Sequence, residues 1–186
     1  IIRLKKYKSY KGEQGKIAPN ILERNFKATA PNQKWATDIT EFNVSGKKLY
    51  LSPIIDLFNG EIISYELTER PVFNQVVTML KKAFKKIPNN TNLTLHSDQG
   101  WQYQMKQYQY LLKEKGIIQS MSRKGNCLDN AIIENFFGIL KSELFYIKKF
   151  RSIEELKIEI KQYINYYNNE RIKSNLNKMS PIKYRT

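Results

Sequence analysis

Apolar positions recur with two different periods along this chain, and the switches between them lay out its elements. Residues 35–42 (WATDITEF) and 61–68 (EIISYELT) carry the β-branched and aromatic side chains of pleated strands, and residues 49–58 (LYLSPIIDLF) form a longer apolar run between them. Ser45-Gly46 marks a turn after the first run and Asn59-Gly60 a hairpin after the second, which predicts a three-stranded antiparallel meander. Pro53 interrupts the middle run; without an N–H to donate, it belongs at a bulge or a locally unpaired position. From Phe73 the spacing turns helical: Phe73, Val76, Val77, Leu80, Phe84 and Ile87 share a face, with Lys81, Lys82, Lys85 and Lys86 mostly turned elsewhere. Residues 92–98 (NLTLHSD) predict a fourth strand, residues 103–115 a second helix ended by Gly116, and residues 117–120 a fifth strand. A loop at 122–126 (SRKGN) precedes a long helix over about 128–146. Ser152 and Glu155 form a capping box for a last helix with the stripe Ile153, Leu156, Ile160, Tyr163 and Tyr167. This order predicts an α/β fold, a mixed five-stranded sheet flanked by helices.

Composition narrows the class. The chain has 186 residues, 41% hydrophobic and 12% aromatic, which suits a folded domain rather than a disordered chain. No run approaches the ~20 apolar residues of a membrane span. No signal-peptide pattern is present either, so a soluble cytoplasmic protein is expected. The lone cysteine, Cys127, excludes an internal disulfide, and with the lone histidine, His96, it cannot fill a closed zinc site. Lys and Arg number 32 against 17 Asp and Glu, a formal charge of +15. That surplus points to a polyanion, nucleic acid ahead of an anionic membrane surface. Residues 1–34 carry net +7, residues 141–186 +6, and residues 35–140 only +2. Lysines that merely keep the protein soluble would not require this polarity by segment. Residues 1–34, aperiodic and broken by Gly12, Gly15, Pro19 and Pro31, read as a basic arm. Residues 35–150 read as the core, and residues 151–186 as a C-terminal helix and basic tail packed on or extending it.

Three carboxylates stand out. Asp38 lies inside the first predicted strand, a costly place for a charge without a partner or a metal. Asp98 ends the fourth strand, and Glu134 lies in the long helix, with thirty-five residues between the two. Asn130, Glu134, Gly138 and Lys141 share one stripe of that helix, while Ile133, Phe136, Phe137, Leu140 and Leu144 occupy neighbouring sides. The helix thus packs on the sheet and presents a carboxylate and a lysine to a cleft. Hard cations such as Mg²⁺ select carboxylate oxygens, and two ions ~3.5–4 Å apart activate an attacking oxygen and stabilise a leaving one. Lys141 is placed to grip a nearby phosphate. On spacing alone, three unrelated surface or capping acids explain the same residues equally well.

Around them, His96 shares strand parity with Asp98 and serves either substrate or packing. Gln99 and Gly100 are placed to approach DNA. Arg123 and Lys124 are phosphate contacts or a solvated pair, and so are Arg171 and Lys173. Asn130 positions Glu134 or a phosphate, or caps the helix. Asp56 is expected in surface or turn duty, Trp35 in the core opposite Asp38, and Cys127 beneath the loop. A Cys127–His96 nucleophile has no oxyanion hole to serve it.

At these residues the sequence resembles the insertion-sequence transposases whose core is similar to that of retroviral integrases. The matching segments are residues 31–42 (PNQKWATDITEF), 96–103 (HSDQGWQY), 122–137 (SRKGNCLDNAIIENFF) and 166–184 (YYNNERIKSNLNKMSPIKY), with 20–26 (NILERNF) fitting the linker before the core. The likeness covers nearly the whole chain in the family's order and spacing. It implies a ribonuclease-H-like fold and a D-D-E site that falls on Asp38, Asp98 and Glu134, with the basic residue seven positions further on at Lys141. The cofactor implied is Mg²⁺, with Mn²⁺ as substitute and two ions per site. The partners implied are transposon ends and target DNA, met by a homo-oligomer associated with the bacterial nucleoid. The activity implied is end cleavage by water, then attack of the freed 3′-hydroxyl on another phosphodiester. The helix-turn-helix region that precedes such cores is not legible in this chain, and Pro53 replaces an expected small or aliphatic residue. Two other readings keep the residues: a ribonuclease-H-like nuclease without strand transfer, and a catalytically inactive DNA-binding protein from a decayed element. A tyrosine recombinase would need a basic constellation around its nucleophile, which the sequence does not offer.

Overall fold

The computed structural model describes residues 15–124 and 130–186. Its sheet has six strands where five are expected, because the predicted first strand is broken at Asp38 and Ile39. The halves are β1 (Lys34–Thr37) and β2 (Thr40–Val44), followed by β3 (Lys47–Asp56), β4 (Ile62–Thr68), β5 (Thr94–Ser97) and β6 (Ile118–Met121). Both halves lie antiparallel to β3 in one continuous register, Trp35↔Asp56 to Thr37↔Ile54 and then Thr40↔Leu51 to Val44↔Lys47. Carried across the break, that register sets Asp38 opposite Pro53. Leu57 N–H donates to Lys34 O at 2.9 Å, so alternate amides from Leu57 back to Pro53 face β1. At Pro53 the expected donor is missing. The proline thus occupies the unpaired position its chemistry demands, and its carbonyl accepts the Thr37 hydroxyl at 2.8 Å instead.

The meander β1/β2–β3–β4 is antiparallel, and β5 and β6 are added to β1 in parallel. Its first turn has φ of 50° at Ser45 and 82° at Gly46, the left-handed pair of a two-residue hairpin. At the second turn Gly60 (φ 75°) donates its N–H to Asp56 O at 2.8 Å, making a longer loop than two residues. One face of the sheet packs Trp35, Ile54, Leu93 and Leu95 under α1 (Phe73–Phe84), α2 (Trp101–Gln104) and α3 (Lys106–Lys115). The other packs Phe42, Leu49, Leu51 and Ile55 under α4 (Ala131–Leu140) and α5 (Ile153–Asn169). The helix expected over 103–115 is therefore two, parted at Met105, whose backbone is extended (ψ 135°). Gly116 (φ 77°) ends α3 in the left-handed cap its position predicts. The long helix changes pitch at Lys141–Phe145, a π-turn, and its expected start at 128–129 lies outside the described residues. Ser152 caps α5 by accepting Glu155 N–H at 3.1 Å, and Glu155 accepts Arg151 N–H at 2.7 Å, one residue outside the strict capping box. The last helix, α6 (Pro181–Arg185), docks on the β3–β4 turn through Asn59, whose amide donates to Pro181 O at 2.8 Å.

Candidate active site

Asp38 and Asp98 stand at the same ends of adjacent parallel strands. β1 and β5 pair Ala36 with His96, and two residues further along each strand comes a carboxylate. Both lie just past the last ladder residue, where the backbone is free to turn its own N–H groups onto them. Asp38 Oδ1 accepts Ile39 N–H and Asp98 Oδ1 accepts Gly100 N–H, each at 2.8 Å. Gly100 is required by this approach: a Cβ there would stand 2.9 Å from Asp98 Oδ1. Glu134 lies in the first turn of α4, exposed.

Electrostatics tie the three acids together. The Asp38 carboxyl is pushed up to about 7, first by burial, then by the charge of Asp98 and, more weakly, of Glu134, against the lowering effect of the Ile39 N–H. The Asn130 amide approaches Asp38 closely enough to favour its charged form, yet neither its Oδ1 nor its Nδ2 completes a hydrogen bond, although both are buried. A half-buried carboxyl with two like-charged neighbours is a donor set that a divalent cation would relieve, since it offers hard oxygen ligands and surplus negative charge. Among the described residues, no three His, Cys, Asp or Glu side chains are already closed around a metal position. The acids are neighbours in charge without being a preformed cage.

The integrase core domain model matches residues 28–127, and a second integrase core domain model matches residues 134–186. The chain belongs to the integrase core family. It is 61% identical over 184 residues to the putative transposase InsK for insertion sequence element IS150 of Escherichia coli (strain K12), covering 99% of this chain and 65% of that protein. An uncharacterized transposase-like protein of Haemophilus influenzae is 55% identical over 184 residues, and the chain covers 85% of it. Among solved structures, the HTLV-2 integrase catalytic core domain in complex with magnesium superposes with a TM-score of 0.68 at 17% identity, over 85% of this chain and 99% of that one. A chain of the simian T-cell lymphotropic virus intasome in complex with PP2A regulatory subunit B56 gamma gives 0.73 at 16% identity, over 94% of this chain and 60% of that one. The fold is therefore the ribonuclease-H-like fold of integrase cores, as the sequence motifs imply.

Several other residues of this integrase core stand differently from expectation. His96 has no exposed surface; its Nδ1 meets Ser120 Oγ at 2.8 Å and its ring stands edge-on to Phe26. Ser120 Oγ also accepts Ile21 N–H at 2.9 Å, so His96 serves the seam between sheet and arm, and its burial removes it from a DNA-facing surface. Asp56 is fully buried rather than at the surface, accepting Asn32 and Phe58 N–H groups and pairing with Arg185 at 3.0 Å. Arg171 is taken up by Glu143, and the ammonium of Lys173 donates to Tyr167 Oη at 2.5 Å with its pKa lowered to about 8 by burial; neither is a solvated pair. Gln99 donates to Ser122 O at 3.1 Å, anchoring the loop that carries Arg123 and Lys124, both exposed. Asn130 occupies the N-cap position of α4 without a side-chain cap bond, so capping does not explain its burial. Lys141 is half-buried with its Nζ 5.3 Å from the Phe42 ring centre, and burial lowers its pKa. Trp35 is core as expected, and Cys127 lies outside the described residues.

Two groups escaped sequence reasoning. Tyr103 and Tyr108 bury their hydroxyls, neither completing a hydrogen bond among the described residues although Thr37 approaches that of Tyr103, and their acidity is suppressed by burial and then by the aspartates: Asp38 and Asp98 for Tyr103, Asp98 for Tyr108. Tyr103 closes the segment 96–103 that contains Asp98, a usable signal. The Glu143–Tyr163–Arg171 cluster joins residues from two helices and a tail, and no periodicity announces it.

Proposed function

We propose that this integrase core is the catalytic part of a DNA transposase, cleaving transposon ends and transferring the freed 3′-hydroxyl into target DNA. Asp38, Asp98 and Glu134 would hold two Mg²⁺ ions, with Mn²⁺ able to replace them. The observation that carries the reading is the Asp38 carboxyl, half-buried in a break of the sheet one residue past β1, alongside Asp98 one residue past β5, and raised to about 7 by loss of solvent and by the charges of Asp98 and Glu134. A divalent cation would relieve the repulsion that Asp98 and Glu134 exert on Asp38, and the chemistry such cations serve in a basic protein is phosphoryl transfer.

When bound, the ions supply Lewis-acid stabilisation of the charge that develops on the phosphate and on the entering and leaving oxygens. The chain's own residues do the rest. The N–H groups of Ile39 and Gly100 aim the two aspartates, and the first turn of α4 carries Glu134. The Asn130 amide steadies Asp38. Lys141 grips the phosphodiester, and Arg123, Lys124 and Gln99 lie on or anchor the loop that meets the DNA backbone. His96 supports this face from the core. We read the active form as a homo-oligomer on DNA, cytoplasmic and nucleoid-associated, in line with relatives named transposases and a structural neighbour described as an intasome. No helix among the described residues is long and apolar enough to cross a membrane.

Asp38→Ala, Asp98→Ala and Glu134→Ala should each abolish joining of pre-cleaved ends to a target duplex while DNA binding, followed by gel shift, persists. Activity retained by any of the three removes that residue from the site. Cleavage without joined products from the unsubstituted chain would make it a nuclease instead. Binding without either, insensitive to Asp98→Asn, would make it an inactive DNA-binding protein.

A further inference from the structure

Glu143, on the π-turn after α4, is gripped from two sides. Its Oε2 accepts the Tyr163 hydroxyl at 2.7 Å and Arg171 Nε at 2.9 Å, and its Oε1 accepts Arg171 Nη2 at 2.6 Å. The Arg171 backbone N–H donates to Tyr166 O at 2.9 Å, so this guanidinium is anchored to the end of α5. Arg171 holds the Glu143 carboxyl below its usual range. A planar fork on a carboxylate fixes orientation as well as charge.

What it fixes is a turn with poor intrinsic geometry. Tyr146 N–H donates to Lys141 O at 2.8 Å, five residues back, a pattern rare except as single turns at functional sites. At the first position of that turn stands Lys141, half-buried against Phe42 and, among the described residues, without a hydrogen bond or ion pair. Glu41, whose charge acts on it, is itself paired with Lys48 at 3.1 Å. Half-burying a cation is unfavourable unless an anion arrives. One turn thus carries a carboxylate locked to α5 and, two residues earlier, an ammonium that pairs with no carboxylate among the described residues.

We propose that Arg171 is a positioning residue: through Glu143 it fixes the π-turn from which Lys141 reaches a DNA phosphate. This rests on the DNA-joining reading above and adds to it a role for the C-terminal segment. Arg171 does not itself contact DNA, because Glu143 already occupies its fork.

The test titrates the chain with a mixed-sequence duplex oligonucleotide across a range of salt concentrations. Withdrawing one cation from a phosphate flattens the slope of log K against log salt by about 0.9. Lys141→Ala flattens it by that amount, Arg171→Gln does the same with Lys141 intact, and the double variant goes no further than Lys141→Ala alone. Glu143→Gln, which keeps the side-chain shape, also flattens it. An unchanged slope in Arg171→Gln or in Lys141→Ala overturns the proposal, as does a double variant flattened by about 1.8. A steeper slope in Glu143→Gln overturns it too, since a released Arg171 would then be the group on the phosphate. If Arg171→Gln does not melt cooperatively, Glu143→Gln decides. Joining of pre-cleaved ends is assayed in the same preparations. The expected slopes without joined product from the unsubstituted chain would leave the clamp standing and refute the transposase reading.

Discussion

Asp38 carries its charge under strain, and pH exposes this. Its folded pKa of about 7 lies above the reference value of 3.8, so between those values the folded chain binds the extra proton. The group therefore weakens the fold progressively as pH rises through that window, and most above about pH 7. Asp38→Asn removes the penalty: in metal-free buffer at about pH 8 it should melt above the unsubstituted chain by roughly 10 °C, since the rise from 3.8 to about 7 amounts to about 4 kcal/mol and each ~1 kcal/mol moves the midpoint of a domain this size by about 2–4 °C. The two should converge as pH falls toward about 4. Adding Mg²⁺ at the higher pH should raise the midpoint of the unsubstituted chain and leave Asp38→Asn in place; identical melting throughout would show that Asp38 is not strained. Gly100 tests the neighbouring acid sterically. Its φ of −54° suits any residue, so Gly100→Ala acts only through the added methyl, 2.9 Å from Asp98 Oδ1 and 3.2 Å from Tyr103 Cδ2. Displacing a catalytic group by ~1 Å costs on the order of 10²-fold in rate. The expected result is that loss in joining with a nearly unchanged melting temperature, and full activity would mean that Asp98 has room to move.

At the scale of elements, the edge strand β4 is closed by side chains standing in for a missing neighbour. Asn168 on α5 donates to Ile62 O and accepts Ile62 N–H, both at 2.9 Å. Asn168→Ala leaves two buried backbone groups unpaired and should lower stability by about 2 kcal/mol, read as a shifted denaturant midpoint; no shift would mean that water serves Ile62 equally well. This pairing could not be read from the chain, because Asn168 follows no apolar period. The meander, the helical faces of α1 and α5 and the caps at Gly116 and Ser152 were legible, because each has a local cause: alternation, a 3.6-residue stripe, a left-handed glycine, a hydroxyl ahead of a helix. Pro53 was legible as a fault in a ladder, but where the fault falls needed the register that sets it opposite Asp38. The split at Met105 and the change of pitch at Lys141 left no mark either, since both are settled by what the helices pack against. His96 misled for a related reason: strand parity gives the side of the sheet and says nothing of the arm that covers it.

Seen as a whole molecule, the basic C-terminal segment is less available to DNA than its composition suggests. Arg171 is occupied by Glu143, the Lys173 ammonium by Tyr167 and Arg185 by a cluster that spans the chain. Arg185 donates to Asp56 at 3.0 Å, to Glu61 at 2.8 Å and to Asn32 Oδ1 at 2.7 Å. Asn32 in turn donates its N–H to Asp56, just ahead of β1. The last helix therefore fastens the residues that lead into β1, the strand just ahead of Asp38. Asp56 has no exposed surface, so removing its cation leaves a buried carboxylate with only N–H donors. Breaking such a pair typically costs about 3–5 kcal/mol, and the partial exposure of Arg185 puts this one at the lower end. Arg185→Gln should accordingly lower the unfolding free energy by about 3 kcal/mol with an unchanged denaturant slope. Arg185→Lys, which keeps the charge but not the fork, should recover only part of it. An Arg185→Gln chain as stable as the unsubstituted one would mean that the two N–H donors satisfy Asp56 unaided. The tail would then be free to leave the core, and its charge would count toward DNA after all.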